Sequence, residues 1–242
     1  MNKTTAEIDR WYERNNRVSY NKYLAMSALG DACSRRLWYK FRNYLPKEQV
    51  PGRVNRIFET GQEQENRVLR ALQGIALVGH CQARVEACNG HLQGAIDGQI
   101  LGLIESPKTE HVLEVKSHNE KNFKELSSEG VEKGFFKHYV QFQLYGFLRG
   151  LTRYFYLAIN KNDEHIYQER GDINTVFAQA QLSRAERIIN ADTPPERIGK
   201  EDSWDCKFCQ FAGICHRGEP HHVGIRNDGS HRPGPNGEWV KV

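Results

Sequence analysis

Residues 111–117, HVLEVKS, place two opposite charges inside a run of strand-forming residues. Side chains alternate across a strand with a period of two, so Glu114 and Lys116 project from one face while Leu113 and Val115 project from the other. The stretch therefore predicts a strand with one polar face and one core face. A solvated charge pair is the ordinary explanation of such a strand, so its meaning depends on the segments around it.

A second predicted strand lies upstream in HLQGAIDGQI, residues 91–100. Its apolar residues alternate onto one face, and its polar residues, including Asp97, alternate onto the other. A Ser-Pro turn signal separates it from the first strand, so the two strands can form a hairpin. With the right register, the hairpin brings Asp97, Glu114 and Lys116 onto one surface.

Such a surface has the composition of a metal-and-water site. Two carboxylates, Asp97 and Glu114, supply the hard oxygen ligands that Mg²⁺ or Mn²⁺ prefers, and the backbone carbonyl of Val115 can add a third. The Lys116 ammonium can orient an attacking water or help to deprotonate it. These residues form the predicted catalytic and metal-binding centre.

An inward-facing carboxylate is predicted on an earlier helix, in RIFETGQEQENRVLRAL, residues 56–72. The helical period places seven residues on one face: Ile57, Phe58, Gly61, Glu65, Val68, Leu69 and Leu72. A carboxylate among apolar groups is costly unless it is paired, hydrogen-bonded or coordinated. Glu65 is therefore a candidate metal ligand or supporting residue, and a buried structural carboxylate is the alternative.

A further pair lies in the segment HYVQFQLYGFLRG, where Gln141 and Tyr145 are four residues apart and so share a helix face. An amide and a phenol can contact phosphate oxygens or hold Lys116 in place. Packing of Tyr145 with Phe142 and Phe147 is the alternative.

The chain has six cysteines, of which three form a C-x2-C-x5-C group near the C-terminus: Cys206, Cys209 and Cys215. A site made of soft thiolate ligands needs a fourth. Cys33 is the best candidate, because a helical stripe of apolar residues would turn it inward. Cys81 and Cys88 would face opposite ways on one strand and are interpreted as buried, inert thiols.

The pattern Asp97…Glu114-Val115-Lys116 resembles the D-(x)n-(E/D)-x-K motif of the PD-(D/E)XK nuclease superfamily, although Ile96 stands where the nominal proline would be. The resemblance implies metal-dependent hydrolysis of DNA at this surface, with Lys116 positioning the attacking water.

Two further motifs make the resemblance more specific. Gly61 and Glu65 resemble the lambda-exonuclease-like form of a helix that carries G-x-x-x-H in RecB-like nucleases. Gln141 and Tyr145 resemble the Q-x-x-x-Y motif of the RecB-like family. The resemblance implies that Gln141 and Tyr145 contact the phosphate or support Lys116.

The cysteine pattern resembles that of iron–sulfur nucleases, namely the AddB nuclease domain and the RecB-like exonucleases of CRISPR adaptation. Ser34 stands in place of the proline in their C-P-R-R helix. The resemblance implies a 4Fe-4S cluster with four thiolate ligands: Cys33, Cys206, Cys209 and Cys215. A tetrahedral Zn²⁺ site made of the same thiolates is the alternative.

By the same resemblance, the expected function is that of an exonuclease acting on single-stranded DNA or DNA ends in recombination, repair or CRISPR adaptation. DNA is the expected partner, together with a second copy of the chain or a recombination or CRISPR protein. Two alternatives stay open. One is a noncatalytic DNA-binding module, and the other is a zinc-binding DNA-associated protein in which the D…ExK match is accidental.

The 242 residues suffice for one domain, and a net charge of +4 is compatible with a polyanionic partner. No apolar run approaches the roughly 20 residues of a membrane span, and the first residues show no apolar signal segment, so an intracellular, cytoplasmic protein is expected. The expected domain has a helical region at 1–50 that contributes Cys33, a core at 51–200, and an iron–sulfur segment with a Gly/Pro/His-rich tail at 201–242.

The order of elements is predicted as helices to about residue 73, strands over roughly 75–118, a helix near 135–150, a strand at 152–160 and a helix at about 172–190. This is an α/β (α+β) order. It agrees with a restriction-endonuclease-like core, in which helices flank a mixed central β-sheet.

Residues 33–42, CSRRLWYKFR, interleave basic and aromatic side chains, a composition suited to phosphate contacts and base stacking. An amphipathic helix with a solvated basic side explains the segment equally well.

Overall fold

The computed structural model describes residues 2–16, 22–45, 48–219, 231–233 and 239–241. In this part of the chain the α-helices are α1 (Lys3–Asn15), α2 (Ser34–Phe41), α3 (Gly52–Gln73), α4 (Glu120–Gly134), α5 (Phe136–Leu148), α6 (Thr175–Asn190) and α7 (Trp204–Lys207). The strands are β1 (Leu24–Ala25), β2 (Leu77–Gly79), β3 (Arg84–Ala87), β4 (Leu92–Ala95), β5 (Gly98–Leu101), β6 (His111–His118), β7 (Arg153–Asn160), β8 (Ile166–Asp172), β9 (His231–Pro233) and β10 (Trp239–Lys241).

Five strands form the central sheet in the order β2-β5-β6-β7-β8. β6 lies in the middle, antiparallel to β5 and parallel to β7, and β8 pairs antiparallel with β7 at the edge. A parallel pair needs a long crossover, which α4 and α5 provide between β6 and β7. The mixed sheet flanked by helices confirms the fold class predicted from the sequence.

The two faces of β6 pack in different layers, as its period-two pattern predicts. Leu113 and Val115 pack with residues of α3 in one hydrophobic cluster. Glu114 and Lys116 lie on the opposite face, toward α5 and the larger core that α2, α5 and α6 share. The strand that contains HVLEVKS is therefore the central element of the fold.

Residues 91–100 form two strands in two sheets, so the prediction of a single strand was wrong. β4 pairs with β1 and β3 in a small three-stranded sheet, whereas β5 pairs with β2 and β6 in the central sheet. Asp97 lies where the chain crosses between them. The predicted hairpin is formed by β5 and β6, with Gly98 opposite Leu113. Alternation indicates which way side chains face, but it does not indicate which neighbour a strand pairs with.

The predicted helices near 135–150 and 172–190 and the strand at 152–160 are present as α5, α6 and β7. Among the longer elements, α4 and β8 were not predicted. α4 buries few apolar residues, among them Leu126 and Val131, so its helical stripe is weak. β8 is an edge strand whose residues are exposed or half-buried, so its sequence carries no core face.

The inner face of α3 agrees with the prediction in its second half, where Val68 is buried against the sheet. In its first half, Ile57 and Phe58 are 43% and 61% exposed, so the prediction for these two residues was wrong. There α3 packs beside α1, through polar pairs such as Arg56 with Asp9. Periodicity alone could not show that this end of the helix faces another polar helix.

The basic and aromatic residues around α2 build the interior of the protein. Trp38, Tyr39 and Phe41 are buried. The buried guanidinium of Arg42 donates to three backbone carbonyl groups at the C-terminal end of α6, where carbonyls lack helical partners. The base-stacking interpretation of these three rings was therefore wrong, because they belong to the core.

Among the described residues, no helix is long and apolar enough to cross a membrane. Residues 220–230, 234–238 and 242 of the predicted tail lie outside the described residues. In the described part of the tail, β9 and β10 pair antiparallel.

Candidate active site

The candidate active site lies on the middle strand of the central sheet. Glu114 is fully buried on β6, and Lys116 points from the same face two residues later. Lys116 Nζ lies 2.5 Å from Glu114 Oε1 and donates to the Val115 carbonyl oxygen at 3.1 Å. The two charges of the polar strand face therefore form an ion pair between a buried Glu114 and a half-buried Lys116, instead of a fully solvated pair.

Asp97 reaches this pair from the junction of β4 and β5. Its Oδ2 accepts the Val115 N–H at 2.8 Å and lies 3.5 Å from Lys116 Nζ. Because a backbone amide of β6 holds this oxygen, the position of the carboxylate does not depend on the lysine alone. The structure thus brings Asp97, Glu114 and Lys116 together, as the predicted hairpin requires.

Glu65 approaches the same site from α3. The Ser117 hydroxyl donates to the Gly61 carbonyl at 3.4 Å, and the Ser117 backbone is near enough to Glu65 to act on the pKa of its carboxyl group in the downward direction. A Cβ at position 61 would come within 3.3 Å of Ser117 Oγ, so glycine permits this close approach. Burial raises the pKa of Glu65, and the Asp97 carboxylate raises it further, while the Lys116 ammonium opposes both.

Helix α5 supplies two polar side chains from one face. Gln141 Nε2 donates to Glu114 Oε1 at 2.7 Å inside the protein. The buried Tyr145 packs directly against Gly94 of β4, where an added Cβ would collide with the phenol. Burial and the nearby Glu114 carboxylate raise the pKa of Tyr145, so the phenol is neutral. Gln141 therefore holds the carboxylate that pairs with Lys116, and not the lysine itself.

Lys116 carries its charge at neutral pH. Burial would lower its pKa, but the carboxylates of Glu114, Asp97 and Glu65 outweigh burial and raise it above its usual value. Burial acts on Glu114 in the upward direction and raises its pKa, while the Lys116 ammonium opposes this shift. A lysine that stays protonated can orient a water or stabilise negative charge, but it cannot take a proton from that water.

The oxygen atoms of this site suit Mg²⁺ or Mn²⁺, and one of them lacks a partner. Glu114 Oε2 is buried and makes no hydrogen bond within the described residues. Such an oxygen is costly unless a donor or a cation reaches it.

Across the same residues, no three His, Cys, Asp or Glu side chains are grouped closely enough to hold a metal ion. At the site itself, Lys116 contacts both Glu114 and Asp97. The donor chemistry fits a divalent cation, with these candidate ligands: Asp97, Glu114, the Val115 carbonyl and Glu65.

A cavity between α2 and the C-terminal segment is lined by all four predicted cluster cysteines: Cys33, Cys206, Cys209 and Cys215. Three arginines, Arg35, Arg36 and Arg197, line it as well. All four cysteines are free thiols. The remote cysteine and the C-terminal three therefore line one cavity together with three arginines, although no three of these thiols are grouped closely enough here to hold a metal ion.

Cys33 precedes α2 as its N-cap, so its predicted place on a helical stripe was wrong. Its Sγ accepts the Arg36 N–H at 3.3 Å. Asp31 accepts the Cys33 N–H at 3.0 Å and the Arg36 guanidinium at 2.6 Å. From α6, Arg184 donates to the carbonyl oxygens of Leu29 and Asp31 at 2.7 and 2.6 Å. A network of hydrogen bonds, and not a helical period, turns this thiol toward the cavity.

The other two cysteines do not share a strand. Cys81 is exposed between β2 and β3, so its interpretation as a buried thiol was wrong. Cys88 is half-buried in a 3-10 turn after β3, and burial raises its pKa to about 11. A thiol with a raised pKa is a poor nucleophile, so Cys88 fits the inert role predicted for it.

Three polar residues near Lys116 were not predicted from the sequence: His118, Tyr156 and His138. Hydrogen bonds join Tyr156 to both histidines. A sequence signal for them existed, because His118 continues the polar period of β6 and His138 lies three residues before Gln141.

The fold and the site define a mixed α/β protein with a lysine–carboxylate centre on its middle strand. No protein-family model matches the chain, and no curated protein matches it. Among solved structures, the chain is similar to an alkaline exonuclease, LHK-Exo from Laribacter hongkongensis, with a TM-score of 0.51 and 11% identity over 74% of this chain and 90% of that one. LHK-Exo in complex with dAMP gives a TM-score of 0.50 at the same identity and coverage. The structure of SSO0001 gives a TM-score of 0.45 and 16% identity over 88% of this chain and 96% of that one. At these identities, the likeness to LHK-Exo shows a shared fold.

Proposed function

We propose that the protein is a metal-dependent DNA exonuclease that hydrolyses phosphodiester bonds. The observation that carries this proposal is the group formed by the buried Glu114 and the half-buried Asp97 and Lys116 at the middle strand of a fold shared with an alkaline exonuclease. Ionisable groups with strongly shifted pKa values, gathered in one place, are typical of functional sites. A sheet core built for stability alone has no need of them, because apolar residues would pack there at lower cost.

Bound Mg²⁺ or Mn²⁺ would neutralise charge on the scissile phosphate and polarise the attacking water. Its ligands would be Asp97, Glu114, the Val115 carbonyl and Glu65. Lys116 would orient the attacking water. Gln141 keeps one Glu114 oxygen directed at Lys116, which leaves the unpartnered oxygen for the cation. Tyr145, neutral and packed against Gly94, would contact the phosphate or support Lys116.

The substrate that we propose is DNA, as single strands or at DNA ends. The similar structure is that of an alkaline exonuclease, and one of its structures contains dAMP. We propose a role in recombination, repair or CRISPR adaptation, carried out with a second copy of the chain or with a partner protein of those processes.

The cysteine cavity is the proposed site of a structural 4Fe-4S cluster. Thiolates bound to such a cluster are anionic, and Arg35, Arg36 and Arg197 provide compensating positive charge around them. The Arg36 N–H that reaches Cys33 Sγ is the kind of hydrogen bond that tunes a metal-bound thiolate. A Zn²⁺ ion held by the same thiolates is the alternative, and iron, sulfide and zinc analysis of the purified protein separates the two.

A comparison of DNA topologies tests the activity. Protein purified anaerobically and supplied with Mn²⁺ or Mg²⁺ should degrade linear DNA, spare covalently closed circles and stop when EDTA is added. Cleavage of closed circles at a comparable rate would assign an endonuclease instead. Binding of DNA without cleavage in either metal would assign a noncatalytic DNA-binding module.

A further inference from the structure

A group of three polar side chains, here named the His–Tyr–His cluster, adjoins the active-site ion pair: the buried His118 and Tyr156 and the half-buried His138. His118 lies four residues after Glu114 on β6 and so shares its face. Tyr156 lies on β7 directly opposite Glu114. His138 precedes Gln141 by three residues on α5, so both approach β6 from one helix face. The same three elements therefore build the ion pair and the cluster.

A single phenol ties the two imidazoles together. Tyr156 Oη lies 2.9 Å from His138 Nδ1 and 3.1 Å from His118 Nε2. A phenol has one proton, so it can donate to one ring while it accepts an N–H from the other. Tyr156 is fully buried, and the Phe135 ring packs on His118 and His138 at centroid distances of 4.5 and 5.5 Å. These contacts fix both rings.

The cluster is neutral beside a charged lysine. Burial, reinforced by the Lys116 ammonium, lowers the pKa of His118 to about 4 and that of His138 to about 3. Neutral rings offer the ammonium no ionic partner on this side of β6. Within the described residues, the carboxylates at ion-pair distance from Lys116 belong to Glu114 and Asp97.

We propose that the His–Tyr–His cluster positions Lys116 against its two carboxylates for phosphodiester hydrolysis. The inference rests on the proposed nuclease function. The residue opposite Lys116 on β7 is Ala158, whose methyl group cannot orient an ammonium. The next side chain along this face of β6 is the His118 imidazole, which Tyr156 and His138 hold from β7 and α5. Tyr156, His118 and His138 are thus positioning residues that act through the lysine.

Substitution of Tyr156 by Phe tests the inference, because it keeps the ring and removes both hydrogen bonds. On a labelled oligonucleotide with Mn²⁺, Tyr156→Phe should lower kcat about tenfold and leave KM and the Mn²⁺ dependence unchanged, since the metal ligands stay in place. Tyr154→Phe is the matched control. It lies on the same face of β7 and loses a 2.8 Å hydrogen bond to Glu169 that the cluster does not share, so it should keep the wild-type kcat.

A wild-type kcat for Tyr156→Phe overturns the inference. An equal loss in Tyr154→Phe does so too, because it assigns both phenols to packing alone. If Tyr156→Phe does not fold, His138→Gln, at a half-buried helical position, replaces it with the same expected loss of kcat. A wild-type protein that cleaves no DNA overturns the proposed function, and this result is distinct from a failure of the cluster alone.

Discussion

At the scale of single residues, Glu114 is the group around which the site is organised. One of its oxygens contacts Lys116 and Gln141, and the other is buried without a hydrogen-bond partner in the described part of the chain. Burial of an ionisable group costs free energy that an apolar residue would not, so the position is explained by chemistry and not by stability.

Gly94 controls the place of Tyr145, and Gly94→Ala should lower kcat by up to about 100-fold, because small displacements of a positioned group are costly. The new methyl group would collide with the phenol. Overpacking should also cost about 1–3 kcal/mol of stability. Cleavage rates and urea unfolding measure both effects.

Gly79→Ala is the control for this substitution, since a Cβ at position 79 meets no atom within 4 Å. Equal rates for the two variants would show that Tyr145 has no part in the reaction.

At the scale of elements, the parts of the site decided by local period could be predicted from the sequence. The alternation of β6 sets Glu114 and Lys116 on one face, and the helical period of α5 sets Gln141 and Tyr145 on another. Both patterns are complete within a few residues, and the structure agrees with them. The central mixed sheet followed from the order of such segments.

Features that depend on distant partners could not be predicted in this way. The crossing at Asp97 depends on which sheet accepts β4 and which accepts β5. The exposure of Ile57 and Phe58 depends on α1, and the orientation of Cys33 depends on hydrogen bonds from α6. Periodicity carries no information on these long-range contacts.

The loop that carries Cys33 depends on α6, so Arg184→Ala should destabilise the protein by about 3 kcal/mol. The guanidinium donates to Leu29, Asp31 and Ser34, and its loss leaves these acceptors without a donor. Iron bound per chain should fall as well, because Cys33 is no longer held at the cavity.

Arg187→Ala, which changes an exposed arginine on the same helix, is the control and should keep the wild-type melting temperature and iron content. Wild-type values for both variants would contradict the anchoring role of Arg184.

At the scale of the whole molecule, the proposed cluster would join the two ends of the described chain. Cys33 and Cys206 are 206 − 33 = 173 residues apart in sequence and line one cavity. In the chain-entropy model, closure of a loop of this length stabilises the folded state by up to about 5 kcal/mol. This is a large share of the roughly 5–15 kcal/mol that stabilises a typical domain.

Loss of a cluster ligand should therefore remove colour and stability together. Purified protein should show broad visible absorbance, and replacement of any one ligand by Ala should bleach it and lower the melting temperature: Cys33, Cys206, Cys209 or Cys215. Cys81→Ala and Cys88→Ala, outside the cavity, should keep the colour. A colourless native protein with one equivalent of zinc would reject the cluster and leave the nuclease proposal standing.

The two histidines of the His–Tyr–His cluster predict a loss of stability in mild acid. His118 and His138 have lowered pKa values in the folded protein, about 4 and about 3. Their contribution to the free energy of unfolding is therefore complete above pH 6.5 and is lost as the pH falls toward these two values. Each histidine should lower the free energy of unfolding by about 1.4 kcal/mol per pH unit in this window. Urea unfolding at pH 7, 6 and 5 measures the slope.

The slope of the unfolding free energy against pH, compared between wild type and His138→Gln, isolates the contribution of His138. Glu114 acts in the opposite sense, because its raised pKa means that its stability contribution falls as the pH rises above the usual carboxyl range. The variant should lose less stability than wild type between pH 6 and 5. Identical slopes would show that His138 is not held neutral by the fold.

The central claim is that the surface formed by Asp97, Glu114 and Lys116 hydrolyses DNA, and release of label from end-labelled linear DNA in Mn²⁺ tests it most directly. The wild type should release label, and Lys116→Ala should be slower by about 100-fold or more, because the charge that orients the water is lost. Lys124→Ala, which removes an exposed lysine on α4, should match the wild type. Release by Lys116→Ala at the wild-type rate, or none by the wild type itself, would contradict the account.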